Sequence, residues 1–536
     1  MLKKFTLVAL FVFHFPSVVF GDDLTVGKQL YEKGILPNGA PLVGIGASGL
    51  TLSGQEAACA NCHRLSGMGG VEGKAFMPPI ASHFLFNPRE PALAVTDPSH
   101  PMGITVKSHA YGDDNLTSMI RTGINFEGRT VNPVMPRYAL DDVAMKSLVA
   151  YLHQLSATPS TGVTPGELHF ATVFTPEVDE STKRLIKNDI EAFVQQHNSN
   201  MSTAKRHRRI GFDRLRRETS NWVFHFWELK GESSTWTNQL EDYYKQQPVF
   251  ALVSGVSFAP ADSVHDFCEN HQTPCLFRSV LFSAQTTSRY NLYFSKGMSL
   301  DAHLLATGLK SGVIKKPKHV IQIHSENVLG ERVNAELGNR LDSLNITHHN
   351  MVLNADNLSV VRQTLHSLKS TDLVVCWCDQ TDIDALGKIS LPKEARIYFS
   401  GSLLMMKNGF KQFTGNWQKA RLIYPYELPE KRLRQLSSFY SWVIGNQFKP
   451  VNEVLQSDTY ISLLILQEAI AEMVDNLYKD YLVERVENIM GMGFDYWGMY
   501  SRPSLGPVER YANRSGYIVK FTAKQLVAES DRIVEE

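Results

Sequence analysis

The chain runs to 536 residues, with Lys+Arg and Asp+Glu balanced at 54 each and a hydrophobic fraction of 43%. That length exceeds what one hydrophobic core organises, so several compact units are expected. A formal net charge of zero supplies no general field for a polyanion; it speaks against nucleic acid as a partner and leaves partners to be argued from local features.

Residues 1–21 read as an export signal. Lys3 and Lys4 precede an apolar run from Phe5 to Phe20, and Val19-Phe20-Gly21 resembles a cleavage site, so the mature chain is expected to begin at Asp22. The run falls short of the ~20 residues of a bilayer span, and no later stretch is long and apolar enough, so no membrane span is expected in the mature chain. The expected compartment is exported and oxidising, a bacterial periplasm.

Next, "VGKQLYEKG" puts Gly27, Leu30 and Tyr31 on one side of a short helix, with glycine admitting a close neighbour. "CANCHRLSGMGG" follows from Cys59 to Gly70, and four chemistries compete for its Cys59-Ala-Asn-Cys62-His63 core. Zinc needs further ligands at similar spacing, and neither a second CxxC nor an HxxxH occurs. Thioredoxin-like exchange wants a strand-to-helix junction and has no use for the histidine. A plain disulfide is the bland reading. The fourth is covalent haem, for which CxxCH is the attachment signature: two thioethers on one helical turn and the adjacent histidine facing the iron. The export signal agrees, because that attachment is made outside the cytoplasm.

A second iron ligand is expected downstream. Before residue 160 the candidates are Met68, Met77, Met102, Met119, Met135, Met145, His83, His100 and His109. Met135 stands out in "NPVMPRYALDDVAMKSLVAYLHQL": Pro136 stiffens the loop, Asp141 or Asp142 can cap the next helix, and Leu140, Val143, Leu148, Leu152 and Leu155 give that helix one apolar face. Taken together, the Gly/aromatic helix, CxxCH, Met-Pro loop and final amphipathic helix resemble the class I cytochrome c family. The resemblance implies an all-α domain over 22–158 carrying one haem c, bound covalently through Cys59 and Cys62, with His63 and Met135 as axial ligands to the iron. His/Met ligation fills both axial positions and implies single-electron transfer rather than peroxidase chemistry.

"SATPSTGVTPGE" lacks apolar periodicity and reads as a linker, centred on 159–166. Beyond it, "HFATVFTP", "WVFHFWEL", "VFALVSGV", "HVIQIHS", "DLVVCWC" and "RIYFSGS" read as buried strands. Ala261 to Asn270, Leu300 to Gly312, Val328 to Leu344 and Leu358 to Leu368 read as helices between them, an alternation that argues for parallel sheets in two α/β lobes. The succession "PVFALVSGVSFAPADSVHDFCENHQTPCLF", "PKHVIQIHSENVLGERVNAELGNRL" and "STDLVVCWCDQTDIDALGK" resembles the type I periplasmic solute-binding proteins, the leucine- and amide-binding receptors of ABC importers. For 167–536 the resemblance implies a two-lobed fold with a small-molecule ligand between the lobes, touched by Ser254 and Ser257 in the first lobe and Ser325 and Asn327 in the second. The carboxylate and ammonium clamp of an amino-acid receptor is not legible, and Leu329 replaces the aromatic residue that many members carry before Gly330.

In an oxidising compartment Cys268 and Cys275 are expected to form a disulfide around "ENHQTP". Cys376 and Cys378 point to one strand face and read as small buried hydrophobes. "KRHRRIGFDRLRRE", from Lys205 to Glu218, reads as a solvated basic face. The functional expectation is a periplasmic electron carrier, not an enzyme, fused to a solute-binding domain, with periplasmic electron donor and acceptor proteins, a dehydrogenase among them, as partners. Two alternatives stand beside it: an importer receptor with a redox-sensing haem, and a cytochrome subunit of a quinoprotein dehydrogenase.

Overall fold

The computed structural model describes residues 23–46, 49–73, 75–88, 109–207, 220–283, 288–387, 391–392, 394–407, 417, 419–492, 498–522 and 526–535. The export segment 1–21, the candidates His100 and Met102, and the basic run from 208 onward lie outside the described residues. The chain divides into two compact units, Met1–Thr158 and Pro159–Glu536.

In the first unit, helix Asp23–Lys33 packs against helix Asp142–Gln154. The approach is close because of Gly27: a Cβ there would run into the Ser147 carbonyl and the Tyr151 Cβ. Tyr31 and Tyr151 meet across the crossing with ring centroids 5.4 Å apart. Asp141 caps the second helix, its carboxylate accepting the Ala144 N–H at 2.8 Å. Leu140, Leu148, Leu152 and Leu155 are buried as expected, but Val143 is 57% exposed and Ala144 and Met145 take the inward positions. Counting back from Leu148 by 3.6 places the face between 144 and 145, so Val143 falls outside it.

Helices Ser82–Phe86 and Asp113–Thr122 add to this core. The unit is not helical throughout: strands Thr51–Ser53, Val43–Ile45 and Arg137–Tyr138 form an antiparallel sheet, and Gly70–Glu72 pairs with Ala75–Met77. The segments between the helices are long, and their backbone groups find partners in each other.

In the second unit the presumed linker is structured. Val163–Thr164 pairs antiparallel with the start of strand Glu167–Phe174, through a turn built on Pro165 and Gly166. Pro and Gly in sequence mark a turn, and here the turn closes a hairpin. The first-lobe sheet then runs Ser279–Val280, Val256–Ser257, Glu167–Phe174, Ala251–Val253, Cys275–Leu276, Asn291–Leu292, with every neighbouring pair parallel. Asn221–Glu228 pairs parallel with Glu167–Phe174 along its whole length.

The second-lobe sheet runs Thr347–Leu353, His319–Ser325, Asp372–Trp377, Ile397–Ser400, Arg421–Tyr424 in parallel, continued antiparallel by Ser515–Phe521 and Leu526–Ala528. The expected helices occur as Asp262–Asn270, Met298–Ser311, Val328–Ser343 and Leu358–His366. Three long helices escaped the sequence reading: Glu180–His207, Glu453–Met473 and Lys479–Gly491. Glu453–Met473 is buried on nearly every side, including Gln456, Ser457, Asp458 and Thr459, so no polar face marks its period.

Candidate functional site

The site in the first unit begins with a helix of five residues, Cys59–His63. Arg64 ends it with φ 64°, and its N–H bonds the Ala60 carbonyl at 2.9 Å. Gly69, at φ 69°, lets the chain double back so that its N–H reaches the His63 carbonyl at 3.0 Å; a Cβ there would meet the carbonyls of Met77 and Pro78. This reversal carries Pro78 to the far side of the histidine.

His63 is only 8% exposed, and its Nδ1 lies 3.0 Å from the Pro78 carbonyl oxygen. A carbonyl only accepts, so Nδ1 carries the proton and Nε2 keeps its lone pair. Burial also holds the His63 pKa below its ordinary value. The result is a neutral imidazole oriented by a backbone oxygen, the usual arrangement of a metal-ligating histidine.

Burial pushes the Cys59 thiol up to about 12. A thiol so disposed is a poor thiolate, unsuited to thioredoxin-like exchange. The described residues contain no group of three or more His, Cys, Asp and Glu placed to hold a metal. Tyr138 braces the turn before the cysteines, its hydroxyl donating to the Ala57 carbonyl at 2.9 Å.

Met135 sits in a tight turn: its N–H bonds the Asn132 carbonyl at 2.9 Å, the Asn132 side chain accepts the Val134 N–H at 3.0 Å, and Arg137 donates to the Met135 carbonyl. Its side chain, like that of Cys59, is partly buried against the core that contains Leu85, Leu116 and Leu148. Of the other candidates, Met68, Met77, Met119 and Met145 are buried. His109 reaches Glu127 at 3.9 Å, and the His83 ring lies tilted against Phe84 with centroids 4.0 Å apart. Beside this core lies a cavity of about 560 Å³, lined by Leu36, Leu42, Tyr138 and Leu140 among others. That cavity is lined by none of Cys59, Cys62, His63 and Met135; two sulfurs and one Nε2 on a single turn, with a thioether on the same apolar core, suit a flat apolar group carrying a soft-ligated iron.

In the second unit the four expected ligand contacts turn out to be engaged. Ser254, at φ 56°, hydrogen-bonds Thr459 through its hydroxyl at 2.8 Å. Ser325 donates to Asp382, and Asn327 caps helix Val328–Ser343 by accepting the Gly330 N–H at 2.8 Å. Of the four, Ser257 meets a cationic group, accepting from Arg278 at 3.1 Å. Arg278 escaped the sequence reading because a lone arginine after a strand carries no pattern. Cys268 and Cys275 form a disulfide with Cα atoms 6.2 Å apart. Cys376 and Cys378 are both buried, and Cys378 points its sulfur at the Ile323 carbonyl at 3.7 Å.

Fold and site together define a two-part molecule, a small domain built around a Cys-Cys-His turn and a two-lobed α/β domain of the periplasmic-binding-protein kind. The small domain is a cytochrome c domain: the sequence model of the cytochrome c family matches residues 47–156. That family implies haem c. No curated protein matches the chain. Among solved structures, the fatty acid ABC transporter substrate-binding protein from Thermomonospora curvata is similar over 71% of this chain and 95% of its own, at 13% identity and a TM-score of 0.51. A branched chain amino acid ABC transporter protein from Thermus thermophilus with bound valine is similar over 69% and 97%, at 9% identity and a TM-score of 0.51. A substrate-binding protein of an ABC transporter from Aeropyrum pernix is similar over 69% and 97%, at 13% identity and a TM-score of 0.50. At these identities the likeness is one of fold.

Proposed function

We propose that the chain is an exported, periplasmic electron carrier with one covalent haem c, fused to a domain that binds a small molecule between its lobes. The observation that carries the electron-transfer half is His63, on the same turn as Cys59 and Cys62, with Nδ1 committed to Pro78 and Nε2 left as a ligand. In this reading Cys59 and Cys62 would hold the haem through two thioethers, and His63 and Met135 would ligate its iron. Bound haem c supplies a one-electron couple, and a thioether ligand raises its potential.

The chain's own residues then position and shield. The Pro78 carbonyl fixes the His63 ring, the Asn132 turn and Arg137 hold the Met135 loop, and the apolar core keeps water from the metal side. With His63 and Met135 both serving as ligands, the protein would make and break no bonds itself. Its partners are periplasmic donor and acceptor proteins, a dehydrogenase among them. The solute half rests on the two-lobed fold, whose parallel strands end at the junction of the lobes, where α/β sheets place ligands.

Absorption spectra of the exported protein test this. Denatured protein in alkaline pyridine is expected to retain a haem c spectrum after acid-acetone extraction, and Met135→Ala to lose the sulfur-to-iron charge-transfer band of the oxidised protein. Haem that extracts freely sinks the covalent assignment; a band that survives Met135→Ala moves the axial role to another residue.

A further inference from the structure

Arg278 lies between strands Cys275–Leu276 and Ser279–Val280, at the carboxyl end of the parallel first-lobe sheet, and is 3% exposed. Its Nη2 donates to the Ser257 hydroxyl at 3.1 Å, while Nε and Nη1 are buried without a hydrogen-bond partner. Other buried arginines of this unit have acids: Arg485 pairs with Glu472 and Arg510 with Glu487 at 2.6 Å. Among the described residues Arg278 forms no ion pair. Only the nearby Asp262 carboxylate and Tyr293 hydroxyl favour its charge, neither by a hydrogen bond; a guanidinium so weakly compensated in a protein interior is unfavourable, and a bidentate oxyanion is the partner its fork fits.

Its location says where that partner comes from. Asp262, in the helix that follows the Ser257 strand, reaches across to Arg332 of the second lobe at 2.7 Å, and Lys407 of the second lobe sits 5.9 Å from the centre of the Phe258 ring. Arg278 is therefore beside the lobe junction. Apolar surface adjoins it: Val280 packs with Tyr293 and Tyr511, whose rings stack 5.2 Å apart. The nearby acids are already engaged, Asp262 by Arg332 and Glu269 by Ser288 and the N–H groups of Arg289 and Tyr290. Neither Asp262 nor Glu269 is thereby left free for an ammonium group.

We propose that Arg278 is the anion anchor of the solute site, and that the solute is an organic monocarboxylate with an apolar body and no ammonium group. The proposal rests on the solute-binding reading above and narrows it to one chemical class. In the liganded state the carboxylate takes Nε and Nη1 in a forked pair, the Ser257 hydroxyl holds Nη2, and the apolar body lies along Phe258 and Val280. A phosphate dianion would leave one charge uncompensated by a single guanidinium.

Thermal unfolding of the full chain tests it with isovalerate, benzoate and octanoate, their amides, leucine and inorganic phosphate as probes. At about a hundred times Kd, at least one carboxylate is expected to raise the Tm by roughly 5 °C, with its amide, leucine and phosphate silent. Arg278→Gln is expected to weaken that carboxylate by about a hundredfold or more. Arg278→Met is expected to raise the Tm of the unliganded protein, because it removes a buried unpaired charge; an arginine that served only packing would lower it. Stabilisation by amides, leucine or phosphate in place of carboxylates, an unchanged response in Arg278→Gln, or a lowered Tm in unliganded Arg278→Met each overturns the anchor while leaving solute binding intact. Silence from every probe overturns the solute-binding reading and the anchor with it.

Discussion

At the scale of single residues, the Cys59–His63 turn depends on backbone that few side chains tolerate. Gly69 combines positive φ with carbonyl oxygens where a Cβ would be, so Gly69→Ala is expected to cost about 1–3 kcal/mol. It should also release His63, because the reversal at Gly69 is what brings Pro78 to Nδ1. Chemical denaturation reads the first effect and the pH titration of the axial histidine the second; a variant as stable as wild type would show that the reversal is not required. Tyr138→Phe removes one buried hydroxyl bond to Ala57, and a smaller loss of about 1 kcal/mol is expected by the same denaturation measurement. Cys59, Cys62 and His63 were legible because a fixed spacing carries their chemistry. Pro78 was not, because its contribution is a carbonyl that any residue possesses, and Arg278 was not, because its significance is the partner it lacks.

Among elements, the crossing of helices Asp23–Lys33 and Asp142–Gln154 is set by Gly27. Gly27→Val places two methyl groups against the Ser147 carbonyl, and the helices must separate; a drop of several degrees in the haem-linked unfolding transition is expected. An unchanged transition would mean that the crossing is soft. The glycine and the aromatic Tyr31 were visible in the sequence, as was the parallel α/β alternation of the second unit, because continuous apolar strands such as Asp372–Trp377 leave a clear trace. Helix Glu453–Met473 was invisible for the opposite reason, its buried Gln456, Ser457 and Asp458 erasing the polar stripe. The Pro165-Gly166 pair was legible as a turn but not as a hairpin, since the strand it folds against is specified further along the chain.

Taking the second unit whole, one ion network ties its C-terminal strand to the body of the second lobe. His303 binds Glu535 through Nδ1 and Glu336 through Nε2 at 2.5 Å, and Lys296 reaches Glu535 at 2.7 Å. The two acids raise the His303 pKa against the effect of burial, and the hydrogen bonds from His303 and Lys296 hold Glu535 down at about 2. The histidine's contribution is complete below its ordinary 6.5 and fades as pH rises through its raised value. The contribution of Glu535 is complete above its ordinary 4.5 and fades as pH falls toward about 2. The stability difference between wild type and Glu535→Gln is therefore expected to peak between pH 5 and 6 in thermal melts taken across the pH range. A difference that stays flat from pH 4 to 9 would remove this network from the account.

The brevity of helix Cys59–His63 also fixes an order of assembly. Five residues cannot sustain a helix alone, so before folding the two cysteines are presented on pliant backbone. The histidine's oxygen partner is fifteen residues away and arrives only when the intervening loop has closed. On the proposed haem reading, covalent capture would come first and the Pro78 lock on His63 last, so that the prosthetic group would serve as a template for the fold of this unit rather than a late addition to it.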